Sequence, residues 1–270
     1  MRTMKTVLIK AAAVGLVFFG AAFLLKSVGV AQMAAKASFG NVDHLTIQTE
    51  DGLTLHAWKS EADPDSLVSG ARPGLALLLP MMSMTHESYE PFIRRLNEIG
   101  YTTVAFDLRG HGQSIHVGNR TISFADMDES EFVKMPGDVA QFFAQFAPTH
   151  PDDYNYDDVV IIGASIGANT AGLLLDRDWV TRAALLSPGR DYRGLTPETV
   201  LTPEANPAEK PIYIAVTVDD TYAAESSQWL FDHYRGPKVL KRYPGQQHGT
   251  DMLLHIEGAD HELLDWLRSK

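Results

Sequence analysis

The chain is 270 residues long, 45% hydrophobic and 21% charged, with a formal net charge of −11 and no cysteine. That length and apolar content suit one sizeable core and exclude extended disorder, and the missing cysteines exclude disulfides, thiolate metal sites, a Cys nucleophile and an acylated lipoprotein Cys. Beyond residue 37 the balance is 18 basic against 34 acidic residues, a net of −16, which repels phosphate backbones, so no nucleic-acid partner is expected.

In chain order, the first feature is an address. Residues 1–37 hold Arg2, Lys5, Lys10, Lys26 and Lys36 and no acid, around the apolar run Ala11–Leu25, with Ala35-Lys36-Ala37 after it. A basic start, a short apolar centre and a small-residue site are the parts of a secretory signal peptide. Counting from Val7, the apolar stretch is also nearly long enough for an uncleaved anchor, with membrane attachment through residues 6–32. The expected organisation is therefore 1–37 as signal peptide or anchor and 38–270 as one domain, exported to the periplasm or the exterior or held at the membrane.

Next, His44–Thr49 and Thr54–Trp58 flank Asp51-Gly52, a hairpin signal. Leu75–Leu79 is a continuous apolar run, as expected of a strand buried on both faces. Glu87–Ile99 carries Phe92, Leu96 and Ile99 at helical spacing before Gly100. Thr102–Phe106 reads as a strand, Met135–Phe146 as a helix and Val159–Ile162 as a short buried strand. A helix with Leu173, Leu174 and Leu175 follows at once. Strands Arg182–Ser187, Ile212–Val218 and Lys238–Tyr243 alternate with a helix near Ala223–Tyr234, and a last helix carries Leu263, Trp266 and Leu267. This βαβα alternation predicts a parallel sheet covered by helices on both sides, with its ligand site at the carboxyl ends of the strands.

The chemistry-bearing residues fall at those ends. Gly163-Ala164-Ser165-Ile166-Gly167 joins a strand directly to a helix, the setting of a nucleophile held on a strained turn whose glycines admit close backbone approach. A serine hydroxyl needs an imidazole to take its proton, and His248 lies in the loop after the last predicted strand. The imidazole in turn needs a carboxylate. Asp219 and Asp220 end the strand Ile212–Val218; Asp220 is preferred, with Asp219 as a turn or capping residue, and Asp251 is a third candidate read rather as a helix N-cap.

The order Ser165, Asp220, His248 resembles the α/β-hydrolase superfamily over about residues 42–270, closest in plan to compact dienelactone-hydrolase-like and small serine esterases. Asp107–Ser114 (DLRGHGQS), Ile212–Asp220 and His248-Gly249 match the same pattern, and Ser187–Gly194 (SPGRDYRG) resembles the loop after strand six in one bacterial group of such proteins. The resemblance implies an α/β-hydrolase fold with a mostly parallel eight-stranded sheet and no cofactor; no metal is expected, because no His, Asp or Glu pair shows ligand spacing with partners. Only about two dozen residues (Pro188–Pro211) separate strands six and seven, too few for a large cap domain, which predicts an open site suited to small or short-acyl esters.

One stretch departs from the family. Its members usually carry His-Gly after the third strand, where a backbone N–H helps form the oxyanion hole; here the sequence is Pro80-Met81-Met82-Ser83-Met84, and Pro80 has no N–H. By position the donors are the backbone N–H groups of Met82 and Ile166. The methionines read equally as core filler or as a flexible acyl pocket. Arg109 and His111 read as architectural, His86 as a possible pocket residue and Glu87 as a helix opener. Three functions remain open from the sequence: an ester hydrolase acting through an acyl-enzyme; a peptidase, thioesterase or lactonase with the same triad; and a catalytically silent, membrane-attached binding protein on the same fold.

Overall fold

The computed structural model describes residues 42–147, 156, 158–201 and 210–269; the N-terminal address lies outside them. Strand β1 (Val42–Gln48) folds back on β2 (Thr54–Ser60) through the turn at Gly52, whose φ of 85° is readily reached only without a side chain. β3 (Gly74–Leu79) is buried at every position, as its unbroken apolar run demands. The helix expected from Glu87 begins later. A 3-10 turn, His86–Tyr89, comes first, and α1 (Glu90–Glu98) starts beside Pro91, which fits a first turn where no N–H is needed. Tyr89 pins that turn, its buried hydroxyl meeting the carbonyls of Leu79 at 3.2 Å and Ile162 at 3.1 Å.

β4 (Tyr101–Asp107) is followed by a two-stranded hairpin that the sequence did not announce, β5 (His116–Val117) and β6 (Arg120–Thr121), and by the short α2 (Glu129–Phe132). Then come α3 (Met135–Phe146), β7 (Asp158–Ala164) and α4 (Ile166–Leu173). Leu174 and Leu175, expected inside that helix, form its closing turn, where Leu174 N–H to Ala171 C=O and Leu175 N–H to Gly172 C=O tighten the last carbonyls. β8 (Arg182–Leu186), α5 (Glu198–Leu201), β9 (Ile212–Thr217), α6 (Thr221–His233), β10 (Lys238–Tyr243), α7 (Asp251–His255) and α8 (Ala259–Arg268) complete the order.

The eight long strands form one sheet in the order β1-β2-β4-β3-β7-β8-β9-β10. β1, β2 and β4 pair antiparallel and all other neighbours pair parallel. Alternate residues of β3 and β7 feed two cores. Leu75, Leu77, Leu79, Val159 and Ile161 pack with α3 and α4 on one face; Ala76, Leu78, Val160 and Ile162 pack with α1 and α8 on the other. The chain thus places the ends of β3, β7, β8, β9 and β10 side by side on one rim.

Candidate active site

Ser165 follows β7 at φ 52°, ψ −116°, a strained backbone that holds the residue between strand and helix. The two glycines of its motif are needed by contact. A Cβ on Gly163 would lie 2.1 Å from the Gly167 carbonyl oxygen, and one on Gly167 would lie 2.2 Å from the Leu79 oxygen and 2.6 Å from the Pro80 oxygen. The second approach presses the start of α4 against the end of β3 and Pro80. Among the described residues no acceptor engages the N–H of Met82 or of Ile166. Strain continues along the rim: of the four non-glycine residues at positive φ among the described residues, Ser83, Ser165 and Ser187 follow the adjacent strands β3, β7 and β8. Met82 packs on the core beneath α3 and α4 and Met81 on the opposite one, which is the core-filling reading of these methionines.

Asp220 and His248 meet. His248 Nδ1 lies 2.5 Å from Asp220 Oδ2, with the imidazole partly exposed and the carboxylate more buried. Asp219 is exposed; its N–H donates to the Gly245 carbonyl at 3.0 Å, which fits the expected turn role. Asp251 is the first residue of α7 rather than its cap, a position taken by Thr250; there its charge suits the helix dipole. The His248 loop is fastened to the strand ends by groups the sequence reading missed. Thr217 Oγ1 donates to the Gln247 carbonyl at 2.8 Å, and the Gly249 N–H donates to Ser187 Oγ at 3.0 Å. Gly249, at φ 58°, sits so close to Ala164 that a Cβ would come within 3.1 Å of that side chain. The residue after His248 therefore packs on the residue before Ser165.

Tyr192, in the segment noted after β8, packs edge-on to Tyr222 at 5.4 Å. Burial, then the charge of Asp220 and the neighbouring Tyr222, push its phenol's pKa well up. The phenol therefore keeps its proton at ordinary pH.

The other residues singled out in the sequence serve the scaffold. Arg109 is buried and clamps Asp138 through Nε at 2.8 Å and Nη2 at 2.7 Å, with Glu131 and Asp51 at 2.9 Å each. His111 stacks on Phe124 and bonds the Arg109 carbonyl at 2.9 Å; burial lowers its pKa, keeping the ring neutral. His86 is committed to Asp107, with its ring and its N–H 2.9 and 3.0 Å from the carboxylate, and it stacks on Trp58. Burial raises the Asp107 pKa, but His86 and the Gln113 N–H outweigh it and hold the carboxyl below its usual range. Among the described residues no cluster of three or more His, Asp or Glu is arranged to hold a metal ion.

Comparison with known proteins agrees with this frame. The family model for serine aminopeptidases of the S33 group matches residues 74–200. An esterase of Pyrococcus furiosus superposes with a TM-score of 0.61 at 16% identity, covering 84% of this chain and 90% of its own. The esterase Est1E of Butyrivibrio proteoclasticus, solved with ferulic acid bound, gives 0.61 at 18%, covering 83% and 98%. A carboxyl esterase of Bacillus coagulans, solved with glycerol, gives 0.56 at 14%, covering 84% and 96%. The chain has the α/β-hydrolase fold. Among curated proteins no sequence matches it. On that fold Ser165, the Asp220–His248 pair and the loop after β3 lie at the ends of β3, β7, β9 and β10 on one rim of the sheet.

Proposed function

We propose that this α/β hydrolase is a serine esterase acting on small carboxylic esters through an acyl-enzyme. The observation that carries this reading is the Asp220–His248 contact at 2.5 Å, on a loop packed against the residue that precedes Ser165. Asp220 holds the imidazole in the tautomer that leaves Nε2 free to accept a proton, and it stabilises the imidazolium that forms. Ser165 attacks the ester carbonyl as its proton passes to His248, which returns that proton to the departing alcohol. Water, deprotonated by His248, then attacks the acyl-enzyme and releases the acid. The N–H groups of Met82 and Ile166 receive the oxyanion. A backbone donor does not depend on its side chain, so the Pro80-Met81 sequence in place of His-Gly retains two donors; losing either would cost about 2.7–4 kcal/mol in the transition state.

The esterase neighbours, and a β8–β9 connection whose described part adds only α5, favour small or short-acyl substrates. The S33 family model favours a second reading, cleavage of an amide at a peptide N-terminus by the same residues. On this proposal the basic and apolar residues 1–37 export the enzyme or anchor it through residues 6–32, and mass spectrometry of the mature protein distinguishes the two. The function is tested by hydrolysis of p-nitrophenyl acetate, butyrate and octanoate beside aminoacyl p-nitroanilides. Wild type should cleave the short esters, and Ser165→Ala and His248→Ala should each lose at least about a thousandfold in kcat. Equal trace rates in all three proteins would sink the reading, and preferential anilide cleavage would move it to the peptidase.

A further inference from the structure

The loop after β8 is bonded to every arm of the site. It leaves the sheet at Leu186 and Ser187. There the Leu186 carbonyl accepts from the Ser165 N–H at 2.8 Å, and Ser187 Oγ accepts at 3.0 Å from the N–H of Gly249, the residue after His248. Further along, the Tyr222 hydroxyl grips the backbone of Asp191, donating to its carbonyl at 2.7 Å and accepting from its N–H at 3.1 Å. Tyr222 stands two residues after Asp220, in the first turn of α6. The loop then closes on itself. Tyr192 and Leu195 exchange backbone hydrogen bonds at 3.1 and 3.0 Å around Arg193 and Gly194, both at positive φ, as in the two-residue turn of a tight hairpin.

One buried side chain holds this loop from beneath. Asn169 is fully buried in α4, one turn beyond Ser165. Its side-chain oxygen accepts from the Gly189 N–H at 2.9 Å, and its amide donates to the Leu195 carbonyl at 2.7 Å. A single amide thus clasps both feet of the loop, while Tyr222 holds its middle from the solvent side. Between them the Tyr192 ring packs edge-on to Tyr222, and both rings close over Gly189, where a Cβ would come within 2.9 Å of each. Tyr192 rests half-buried at the edge of the core that also takes Ile166 and Met82. A buried amide is tolerated only when its donor and acceptor are both satisfied, and Asn169 commits both to this one loop. A chain that only joined β8 to β9 would need no such clasp.

We propose, on the esterase reading of Ser165, that Asn169 is a positioning residue that sets the substrate range: its clasp on Gly189 and Leu195 holds the loop after β8 as a fixed wall beside Ser165, and that wall limits the length of the acyl group. Asn169 touches neither the substrate nor the reacting atoms; it acts through the loop. A wall rejects an oversized group only if it does not give way, so selectivity for short acyl chains depends on how firmly the loop is held. Tyr222 acts in the same sense and more weakly, because it is 46% exposed and water competes for its bonds.

The test is chain-length selectivity, the ratio of kcat/KM for p-nitrophenyl octanoate to that for the acetate, in wild type, Asn169→Leu and Tyr222→Phe. Asn169→Leu keeps a branched side chain of similar shape and loses both bonds. Tyr222→Phe keeps the ring on Tyr192 and loses the grip on Asp191. A loosened wall predicts a ratio raised at least about tenfold in Asn169→Leu and about threefold in Tyr222→Phe, carried by a lower KM for the octanoate, with fluorophosphonate labelling of Ser165 within about threefold of wild type. A merely structural role would lower Tm and the active fraction and scale all esters alike. An unchanged ratio in both variants therefore overturns the proposal while leaving the esterase reading intact. So does an equal loss in labelling and in turnover of every ester, which would make Asn169 a support of Ser165 alone. If Asn169→Leu does not fold, Tyr222→Phe decides by the same ratio, and no change there is a refutation. A wild type that neither labels nor turns over esters defeats both the esterase reading and this proposal.

Discussion

The backbone N–H of Gly249 donates to the buried hydroxyl of Ser187 at 3.0 Å, tying the loop that carries His248 to the end of β8, beside the strand that ends at Ser165. Ser187 holds a positive φ of 51°, a costly conformation for a residue other than glycine. Ser187→Ala leaves the buried Gly249 amide without a partner, which costs about 1–3 kcal/mol, and it frees the residue next to His248. The expected outcome is a lower Tm together with a fall in kcat at nearly constant KM. Thermal denaturation and steady-state kinetics measure both, and a variant with a wild-type Tm would show that the bond does not hold the loop.

Two adjacent aspartates end β9, and the structure separates their tasks. Asp220 meets the imidazole; Asp219 faces solvent with its N–H on the Gly245 carbonyl. Asp220→Asn preserves shape but removes the charge that fixes the His248 tautomer, so kcat should fall by roughly 10⁴. Asp219→Asn should change kcat by no more than about threefold, because an exposed carboxylate contributes little to a charge it does not touch. Comparable losses in both variants would mean that the pair acts jointly.

Gly167→Ala probes the elbow without touching a catalytic group. The added methyl would stand 2.2 Å from the Leu79 oxygen and 2.6 Å from the Pro80 oxygen. Both are backbone atoms of a strand end buried on all sides, so neither can step aside cheaply. Overpacking of this kind costs about 1–3 kcal/mol, occasionally more. The loop after β3 should be pushed from the start of α4, parting the Met82 and Ile166 donors. Loss of Tm and a fluorophosphonate labelling rate at least tenfold slower are the expected results. Normal labelling would place the oxyanion donors elsewhere.

Much of this was legible in the sequence because the signals were local. Apolar runs such as Leu75–Leu79 suit a strand buried on both faces, and Gly-x-Ser-x-Gly marked the strand–helix junction that the structure shows at Ser165. What escaped was set by tertiary contact. Thr217, Ser187 and Asn169 are ordinary small polar residues in sequence, and only the adjacency of β7, β8, β9 and β10 turns them into braces for the His248 loop and the loop after β8. The segment SPGRDYRG was recognised, yet no spacing rule says that its Gly189 and the following Leu195 would be bound by Asn169 of the helix after Ser165. The hairpin β5–β6 is two residues per strand, too short to leave a periodic pattern.

Arg109 and Asp138 give a prediction in which pH decides the size of the effect. Their side chains are 1% and 4% exposed and joined by two hydrogen bonds at 2.8 and 2.7 Å. Burial raises the Asp138 pKa despite the guanidinium beside it, whereas Arg109 holds the Asp51 carboxyl well below the usual carboxylate range. Arg109→Leu leaves a buried carboxylate without its cation, a change that costs about 3–5 kcal/mol at neutral pH. In the variant the folded-state pKa of Asp138 rises further. A folded pKa above the unfolded one means stability that is fully present below the unfolded value and is lost as pH rises through the folded value. The variant should therefore be most impaired at pH 7–8 and recover part of its deficit as the pH falls toward 5, because a protonated Asp138 buries no charge. Asp51 works in the opposite sense. Its depressed pKa stabilises wild type above the normal carboxylate range and fades only below it, so between pH 8 and pH 4.5 the gap closes through Asp138 alone. Parallel Tm measurements from pH 8 to pH 4.5 check this, and a gap between wild type and Arg109→Leu that stays constant across the range would show that packing, not charge, governs the cluster.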